Sequence, residues 1–336
     1  MNEPKFVLSL AKDVFDLCYD FNTQQELQSL VELVGGIPSR AEYTRKWLLQ
    51  NIKEAEACIT GWGSIPFDDE LLNKAKRLKI LFHTAGTVRN LRYDKTARRN
   101  LRMTSNAAIN AIPVAEFILG IILSGLKGVY QYQERFGKKG KRAWKRDMSI
   151  SPGYYGTIIG IIGLGHIGNK LLKLLEDFEF KVLVCSSHLT ESEAHRLNIR
   201  KADLDELMSQ SNAIVLCGAN LSKNRYMINA RCLALMKDNA LFINAARGAL
   251  VDETALLKEL ERGRITAFLD VTDPEPPEEG HPFYTLPNCI LTAHVAGSFG
   301  NECYRLGKAT LDEVKRYLKG EPLENELSLD ELFYRT

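Results

Sequence analysis

Three side chains suited to acid–base and carboxylate chemistry follow three separate apolar runs in the second half of the sequence. Arg247 follows ALFIN, Glu275 follows TAFLDV, and His294 follows CILTA. A histidine can donate a proton near neutral pH, and a neighbouring carboxylate favours its charged form. An arginine binds a carboxylate through two parallel hydrogen bonds that lysine cannot reproduce. Residues of these types could together bind a carboxylate ligand and exchange a proton with it.

The positions of these residues indicate a shared site. Taken alone, His294 would be interpreted as a structural imidazole at the end of a buried strand. However, ligands of open α/β sheets bind outside the carboxyl ends of the strands, and all three residues follow predicted strands. None of the three is explained by the polar face of an amphipathic helix. We therefore expect Arg247, Glu275 and His294 to converge at one edge of a sheet.

A glycine motif upstream of these residues predicts a dinucleotide site. TIIGIIGLGHIGNKLLKLL places G-x-G-x-x-G directly after an apolar strand and at the start of a periodic helix, which is the context that the motif requires. Gly163 permits the tight turn, Gly165 lets the backbone approach a pyrophosphate, and Gly168 lets helix and strand pack closely. The phosphates would lie at the helix N-terminus, whose free N–H groups favour negative charge. His166 and Ile167, inside the motif, would contribute backbone contacts.

The end of the next strand leaves the identity of the dinucleotide open. In proteins that bind NAD, an acid about 20 residues after the motif holds the ribose hydroxyls. Here KVLVCSSHLT places Ser186 and Ser187 at that position, so no carboxylate repels the 2′-phosphate of NADP. No arginine stands there to bind that phosphate either. We therefore expect either NAD or NADP.

Apolar, β-rich runs alternate with helical patterns along the chain, which predicts parallel sheets covered by helices on both faces. The predicted strands are KFVLSL, EACITG, KILFHT and LRMTSN in the first third, and TIIGIIG, KVLVCS, NAIVLC, ALFIN, TAFLDV and CILTA afterwards. Between the two series, residues 113–147 contain a long amphipathic-to-apolar helix pattern. Glycines interrupt it and its purely apolar part is short, so we expect a connection between two domains rather than a membrane span.

The composition is that of an ordinary globular protein. The chain has 336 residues, enough for two domains, and its 44 basic and 42 acidic side chains nearly cancel. No nucleic acid or membrane partner is therefore expected. The basic segment GKKGKRAWKR, residues 137–146, is interpreted as a surface arm or a subunit contact, because no nucleic-acid motif accompanies it.

We expect a soluble cytoplasmic protein whose cysteines are free thiols. The first residues mix charges of both signs and lack the layout of a cleavable signal peptide. The seven cysteines are scattered without a C-x-x-C pair, which favours free thiols. No cluster of histidine, cysteine and aspartate has the spacing of metal ligands, so no metal is expected.

Three ordered motifs carry a family resemblance. They are N-x-x-R-G-x-x-V-D-E-x-A-L at residues 244–256, L-D-V-x-x-x-E-P at 269–276, and H-[IV]-A-G at 294–297. With the glycine motif, they resemble the D-isomer-specific 2-hydroxyacid dehydrogenase family over nearly the whole chain. DVTDPEPP is similar to the glyoxylate and hydroxypyruvate reductase branch, and the phosphoglycerate dehydrogenase-like branch is the other candidate.

The resemblance implies roles for the candidate residues. His294 and Glu275 would be the acid–base pair, and Arg247 would hold the substrate carboxylate. The backbone N–H groups of Ala85, Gly86 and Thr87, in the loop after KILFHT, would complete the carboxylate site. Further cofactor contacts would come from Ala219, Asn224, Ala245, Ala246, Asp270 and Gly297. Trp62 and Arg89 either line the substrate pocket or serve packing and surface roles.

Asp270 has two interpretations. By resemblance Asp270 lies near the nicotinamide carboxamide, but it could instead cap a turn.

The sequence departs from the family at two places. Ala293 stands before His294 where the family usually has proline, which bears on the rigidity of that turn. The segment CGANLSKN, residues 217–224, stands where the family has a proline followed by leucine and threonines. This second departure affects the transfer of cofactor contacts to Ala219 and Asn224.

The predicted fold is α/β, with two doubly wound parallel-sheet domains and a cleft that closes on the substrate. A Rossmann cofactor domain, residues 126–299, would be inserted in a flavodoxin-like substrate domain, residues 1–125 plus 300–336. The family implies a homodimer. The predicted activity is NAD(P)-dependent reduction of a small 2-keto acid to its D-2-hydroxy acid. The alternatives are a dinucleotide-sensing, corepressor-like regulator and a formate dehydrogenase relative, which is disfavoured because that branch has glutamine in place of Glu275.

Overall fold

The structure, a computed structural model, describes residues 3–97, 99–145, 147 and 153–328. It divides the chain into two compact units. The first unit comprises Met1–Asn110 and Ser298–Thr336, and the second unit comprises Ala111–Gly297. The first boundary therefore lies near the start of the long helix, whereas the sequence places it at residue 125, near the end of that helix. The apolar side chains of the helix pack in the core of the second unit, which accounts for the difference.

The first unit contains a parallel five-stranded sheet of order β2-β1-β3-β4-β5. Its elements in chain order are β1 (Lys5–Ser9), α1 (Lys12–Cys18), α2 (Phe21–Leu30), β2 (Glu32–Leu33), α3 (Arg45–Asn51), β3 (Ala57–Thr60), α4 (Asp69–Lys74), β4 (Ile80–His83), α5 (Tyr93–Ala97) and β5 (Arg102–Ser105). The strands are buried on both faces: Phe6 and Leu8 belong to one apolar cluster, and Val7 between them belongs to another. Alternation of side chains along a strand produces this division.

The second unit contains a parallel seven-stranded sheet of order β12-β11-β10-β9-β6-β7-β8. Its elements are α6 (Ala107–Leu126), which begins in the first unit, α7 (Val129–Lys139), β6 (Ile158–Ile162), α8 (His166–Leu175), β7 (Lys181–Cys185), α9 (Glu191–Arg196), β8 (Arg200–Lys201), α10 (Leu204–Gln210), β9 (Ala213–Leu216), α11 (Ala230–Leu235), β10 (Leu241–Asn244), α12 (Glu253–Glu261), β11 (Thr266–Leu269) and β12 (Cys289–Leu291). The helix α13 (Cys303–Lys319) then returns to the first unit.

The strand order of the second unit defines where a ligand can bind. The chain runs outward from β6 to β7 and β8, then returns to β9 on the other side of β6 and continues to β12. The order therefore reverses between β6 and β9. In doubly wound sheets a crevice forms at this switch point, outside the carboxyl ends of the strands.

The predicted α/β fold with two parallel sheets is confirmed. All ten predicted strands are present, and two short edge strands, β2 and β8, had no sequence signal. Among the described helices, only α6 is long and apolar enough to cross a membrane. This criterion uses length and composition alone, and core helices of soluble proteins also meet it. Its side chains at Val114, Ile118 and Ile121 pack in one cluster with Ile159 and Ile161 of β6, as in a core helix.

Candidate active site

The glycine motif forms a tight turn between β6 and α8. Gly163 has a φ of +95°, and a Cβ on it would lie 2.9 Å from the backbone of Cys217. A Cβ on Gly168 would lie 2.4 Å from the carbonyl oxygen of Gly163. Side chains at these two positions would therefore separate the turn from β9 and the helix from the turn. Both glycines are required at the switch point of the sheet.

The N-terminus of α8 fits a dinucleotide phosphate. Gly165 is the residue that precedes the helix, and no side chain caps the N-terminus there. A Cβ on Gly165 would meet no atom within 4 Å, so the backbone faces open space. The ten-residue helix supplies N–H groups and a positive dipole end. His166 is the first residue of this helix, and Ile167 packs against the core beneath it.

The ends of β7 and β9 provide the flanks of this crevice. Ser186 is half-buried and Ser187 is exposed, and Ser186 Oγ accepts a hydrogen bond from the backbone N–H of His188 at 3.4 Å. On the other flank, Asn224 Nδ2 donates to the Ala219 carbonyl at 2.8 Å and closes the loop after β9. The Asn224 amide thus has a structural use, and cofactor contacts by these residues remain predictions.

A side-chain bridge shapes the turn that carries Arg247. Asn244, at the end of β10, accepts from the backbone N–H of Ala246 at 3.1 Å and donates to the carbonyl of Arg247 at 3.0 Å. The side chains of Ala245 and Ala246 are buried in the two cores of the second unit, so only their backbone could meet a cofactor. Arg247 itself is exposed and donates to the Ala246 carbonyl at 2.6 Å.

Gly248 joins this turn to the loop after β11. A Cβ on Gly248 would lie 2.0 Å from the carbonyl carbon of Thr272 and 2.4 Å from the backbone nitrogen of Asp273. The two loops therefore pack backbone against backbone. Arg247 and Glu275 belong to these two loops, so the glycine brings their segments together.

His294 and Glu275 form a hydrogen-bonded pair. His294 Nδ1 lies 2.6 Å from Glu275 Oε1, and the two side chains are 46% and 41% exposed. The bond uses Nδ1, which leaves Nε2 as the nitrogen that can exchange a proton with a ligand. An imidazole oriented by a carboxylate and open to solvent is the arrangement that acid–base catalysis uses.

Asp270 holds the turn that carries His294. Its buried carboxylate accepts hydrogen bonds from the Thr292 hydroxyl at 2.6 Å and from the backbone N–H groups of Val295 at 2.8 Å and Ala296 at 3.0 Å. Its carbonyl accepts the N–H of His294 at 3.0 Å. These bonds support the turn-capping interpretation of Asp270. The contact with the nicotinamide, and that of Gly297 at the end of the same turn, remain predictions.

The backbone of His294 is strained. Its φ of +55° lies in the left-handed region, which residues other than glycine seldom adopt. The Asp270 bonds on both sides of His294 stabilise this conformation. The turn around the exposed Ala293 is therefore held by hydrogen bonds to Asp270.

The structural role of Glu253 was not predicted from the sequence, although this residue is part of the motif at residues 244–256. Glu253, at the start of α12, accepts the backbone N–H of Asp273 at 3.0 Å. Asp273 in turn pairs with Arg225 at 3.1 Å. Burial raises the pKa of Glu253 to about 7, and the nearby Asp273 carboxylate acts in the same direction. The loop after β11 thus rests on an acid that holds its proton up to neutral pH.

Replacing Glu253 by glutamine should remove one contribution to stability that falls as the pH rises. Because the folded pKa of about 7 exceeds the ordinary value of 4.5, the folded protein retains a proton that the unfolded chain has lost. The contribution of Glu253 to the free energy of unfolding should therefore fall as the pH rises from about 4.5 to 7. Glutamine keeps the hydrogen-bond acceptor but has no proton to lose, so the fall should be smaller.

Urea unfolding of both proteins at pH 5 and pH 8 measures this difference. The same substitution at the exposed Glu261, at the other end of α12, provides a control for the change of side chain itself. Equal slopes for Glu253→Gln and the unmodified protein would contradict the prediction.

The loop predicted to bind the substrate carboxylate belongs to the first unit. Ala85, Gly86 and Thr87 follow His83, the last residue of β4. Burial lowers the pKa of His83 to about 4, so this imidazole is neutral at physiological pH. Trp62, after β3, is 39% exposed, and Arg89 begins a short 3-10 turn.

Two further expectations concern metals and the basic segment. Within the described ranges, no group of three or more His, Cys, Asp or Glu residues could hold a metal ion. Most of the basic segment lies in the end of α7 and the 3-10 turn after it. Arg146, its last residue, lies outside the described residues.

Comparisons with known proteins identify relatives of both units. Residues 119–296 match the family model of the D-isomer specific 2-hydroxyacid dehydrogenase, NAD binding domain. A glyoxylate reductase of Pyrococcus horikoshii is 32% identical over 266 residues, which cover 77% of this chain and 79% of that protein. A D-3-phosphoglycerate dehydrogenase of Methanocaldococcus jannaschii is 29% identical over 302 residues.

The match to the Methanocaldococcus jannaschii protein covers 89% of this chain but only 57% of that protein. The chain thus spans little more than half of that relative's length. Among solved structures, the apo D-mandelate dehydrogenase of Rhodotorula graminis matches with a TM-score of 0.82 and 21% identity, over 97% of this chain and 98% of that chain. At this identity, the similarity shows a shared fold.

Proposed function

Because the chain belongs to the D-isomer specific 2-hydroxyacid dehydrogenase family, we propose that it interconverts a small 2-keto acid and its D-2-hydroxy acid. NAD or NADP would be the cofactor. The observation that carries this proposal is the 2.6 Å bond between His294 and Glu275. This pair lies in the same unit, and at the same carboxyl edge of the sheet, as the glycine turn between β6 and α8.

His294 would act as the general acid in reduction. As an imidazolium, it would donate its Nε2 proton to the carbonyl oxygen while the bound nicotinamide supplies the hydride. Glu275 would stabilise the imidazolium and fix the orientation of the ring. In the oxidative direction, the neutral imidazole would accept the hydroxyl proton of the hydroxy acid.

Arg247 would bind the substrate carboxylate with its guanidinium group. The side chain of Asn244 holds the N–H of Ala246 and the carbonyl of Arg247, so the backbone that carries the guanidinium is fixed. The N–H groups of Ala85, Gly86 and Thr87 would add neutral donors to the same carboxylate. Such preorganised donors lower the cost of orienting the substrate.

The glycine turn would hold the dinucleotide. Gly163, Gly165 and Gly168 would cradle the pyrophosphate at the N-terminus of α8, and Ser186 and Ser187 would face the adenosine ribose.

The names of the relatives, glyoxylate reductase and D-3-phosphoglycerate dehydrogenase, suggest small polar substrates. We further propose a homodimer in the cytoplasm.

Oxidation of NADH and of NADPH against a panel of 2-keto acids tests the proposal. The panel comprises glyoxylate, hydroxypyruvate, pyruvate and longer 2-keto acids, and chiral analysis of the product tests the D configuration. We expect turnover on at least one member. Tight cofactor binding without turnover on any member would instead indicate a regulatory protein that senses the dinucleotide.

A further inference from the structure

Three consecutive backbone carbonyls of the loop after β4 are held by two adjacent residues. Asn106 Nδ2 donates to the carbonyl of Thr84 at 3.2 Å. The backbone N–H of Asn106 donates to the carbonyl of Ala85 at 3.1 Å. The Ser105 hydroxyl donates to the carbonyl of Gly86 at 2.6 Å. Ser105 and Asn106, at the end of β5, thus bind every peptide carbonyl from Thr84 to Gly86.

These bonds determine where the N–H groups of the loop point. In a trans peptide, the N–H lies opposite the carbonyl of the same peptide plane. The N–H groups of Ala85, Gly86 and Thr87 must therefore point away from the two residues at the end of β5. Within the described part of the chain, these three N–H groups donate to no protein acceptor. Successive N–H groups with a common direction form a concave site for an anion.

The two residues that hold the loop are themselves fixed by burial. Asn106 is 1% exposed and Ser105 is 5% exposed. Asn106 Nδ2 also lies 2.8 Å from the Leu306 carbonyl and 2.9 Å from the Thr310 hydroxyl on α13. The peptide planes of the loop therefore cannot turn without breaking buried hydrogen bonds, each of which costs free energy.

We propose that Ser105 and Asn106 are positioning residues that orient the N–H groups of Ala85, Gly86 and Thr87 toward the carboxylate of the substrate. The inference rests on the proposed function, and it deepens the role given to this loop. The neighbouring His83 is neutral, so the loop would bind the anion through peptide dipoles rather than through a fixed charge. Such a site discriminates by direction as well as by charge.

Ser105→Ala tests this proposal with the smallest structural change. It removes only the hydroxyl that donates to the Gly86 carbonyl and accepts from the backbone N–H of Ala107. We expect KM for the 2-keto acid to rise about tenfold, the equivalent of one hydrogen bond. The dissociation constant of NADH and kcat should change less than twofold. Ser105→Thr, which keeps a hydroxyl, should restore KM. Asn106→Ser should raise KM further if it folds.

A matched control comes from the same buried network. The Tyr19 hydroxyl bonds to the Thr84 hydroxyl at 2.7 Å, and so it contacts the side chain of the loop's first residue but none of the carbonyls. Tyr19→Phe should lower Tm without changing KM. An equal rise in KM for Tyr19→Phe and Ser105→Ala would mean general loosening and would overturn the proposal, as would an unchanged KM in Ser105→Ala.

Binding of oxalate, an unreactive dicarboxylate, separates this inference from the proposed function. If no 2-keto acid is turned over, the proposed function fails, but calorimetric titration with oxalate still compares the unmodified protein with Ser105→Ala. Weaker oxalate binding in the variant, with Tyr19→Phe unaffected, would support the orienting role. Absence of both turnover and oxalate binding in the unmodified protein would overturn both proposals.

Discussion

Replacing His294 by glutamine should lower kcat for 2-keto acid reduction by about 10²- to 10⁴-fold, the usual contribution of a general acid. Glutamine can occupy the position of the imidazole and still bond to Glu275, but it cannot transfer a proton. The glycine turn between β6 and α8 is separate from this side chain, so the dissociation constant of NADH should change little. Stopped-flow turnover and fluorescence titration with NADH measure the two quantities.

Glu275→Gln provides the graded comparison for this experiment. The amide keeps a hydrogen-bond acceptor for His294 Nδ1, now 2.6 Å from Glu275 Oε1, but it removes the negative charge beside the imidazole. We expect a smaller loss of kcat than for His294→Gln. Near-normal turnover of His294→Gln on a substrate that the unmodified protein reduces would refute the catalytic role of this residue.

Asp270→Asn should lower kcat by about 100-fold and also lower Tm, because the turn that carries His294 would lose its anchor. In the carboxylate, one oxygen accepts from Thr292 and Val295 and the other from Ala296. An amide would place an NH2 group against one of these donors. The strained φ of +55° at His294 would then have less to stabilise it. Steady-state kinetics and thermal unfolding measure both effects.

A double-mutant cycle distinguishes positioning of His294 from contact with the cofactor. If Asp270 acts through the turn, Asp270→Asn should have little further effect on kcat in the His294→Gln background. If it contacts the nicotinamide, the dissociation constant of NADH should rise in both backgrounds. Thr292→Val, which removes one of the bonds to Asp270, should give an intermediate loss of kcat, and full activity in Asp270→Asn would contradict the anchoring role.

Much of the fold could be predicted from the sequence because the strands are buried on both faces. Runs such as KFVLS and ACIT are almost wholly buried, so their apolar character is continuous and easily recognised. The edge strands β2 and β8 have two residues each, one exposed and one half-buried. Short exposed strands carry no apolar pattern, and they were not predictable.

The candidate site was predictable where a residue type is itself unusual. A histidine, an arginine and a glutamate after apolar strands stand out, as do glycines in a fixed spacing. Asn244, Glu253 and the pair Ser105–Asn106 act through backbone bonds, and those bonds depend on loop conformations that the sequence pattern does not encode. The domain boundary was misplaced for a related reason, since an apolar helix pattern does not reveal which of two cores it packs against.

The contact at Gly248 also constrains how this site can be redesigned or can diverge. Because Gly248 has no Cβ, its backbone contacts the backbone of Thr272, so the segment that carries Arg247 and the segment that carries Glu275 pack against each other. Exchange of either loop alone with a relative would disturb the other. Chimeras of this chain should therefore retain the proposed activity only when residues 244–256 and 269–276 are transferred together.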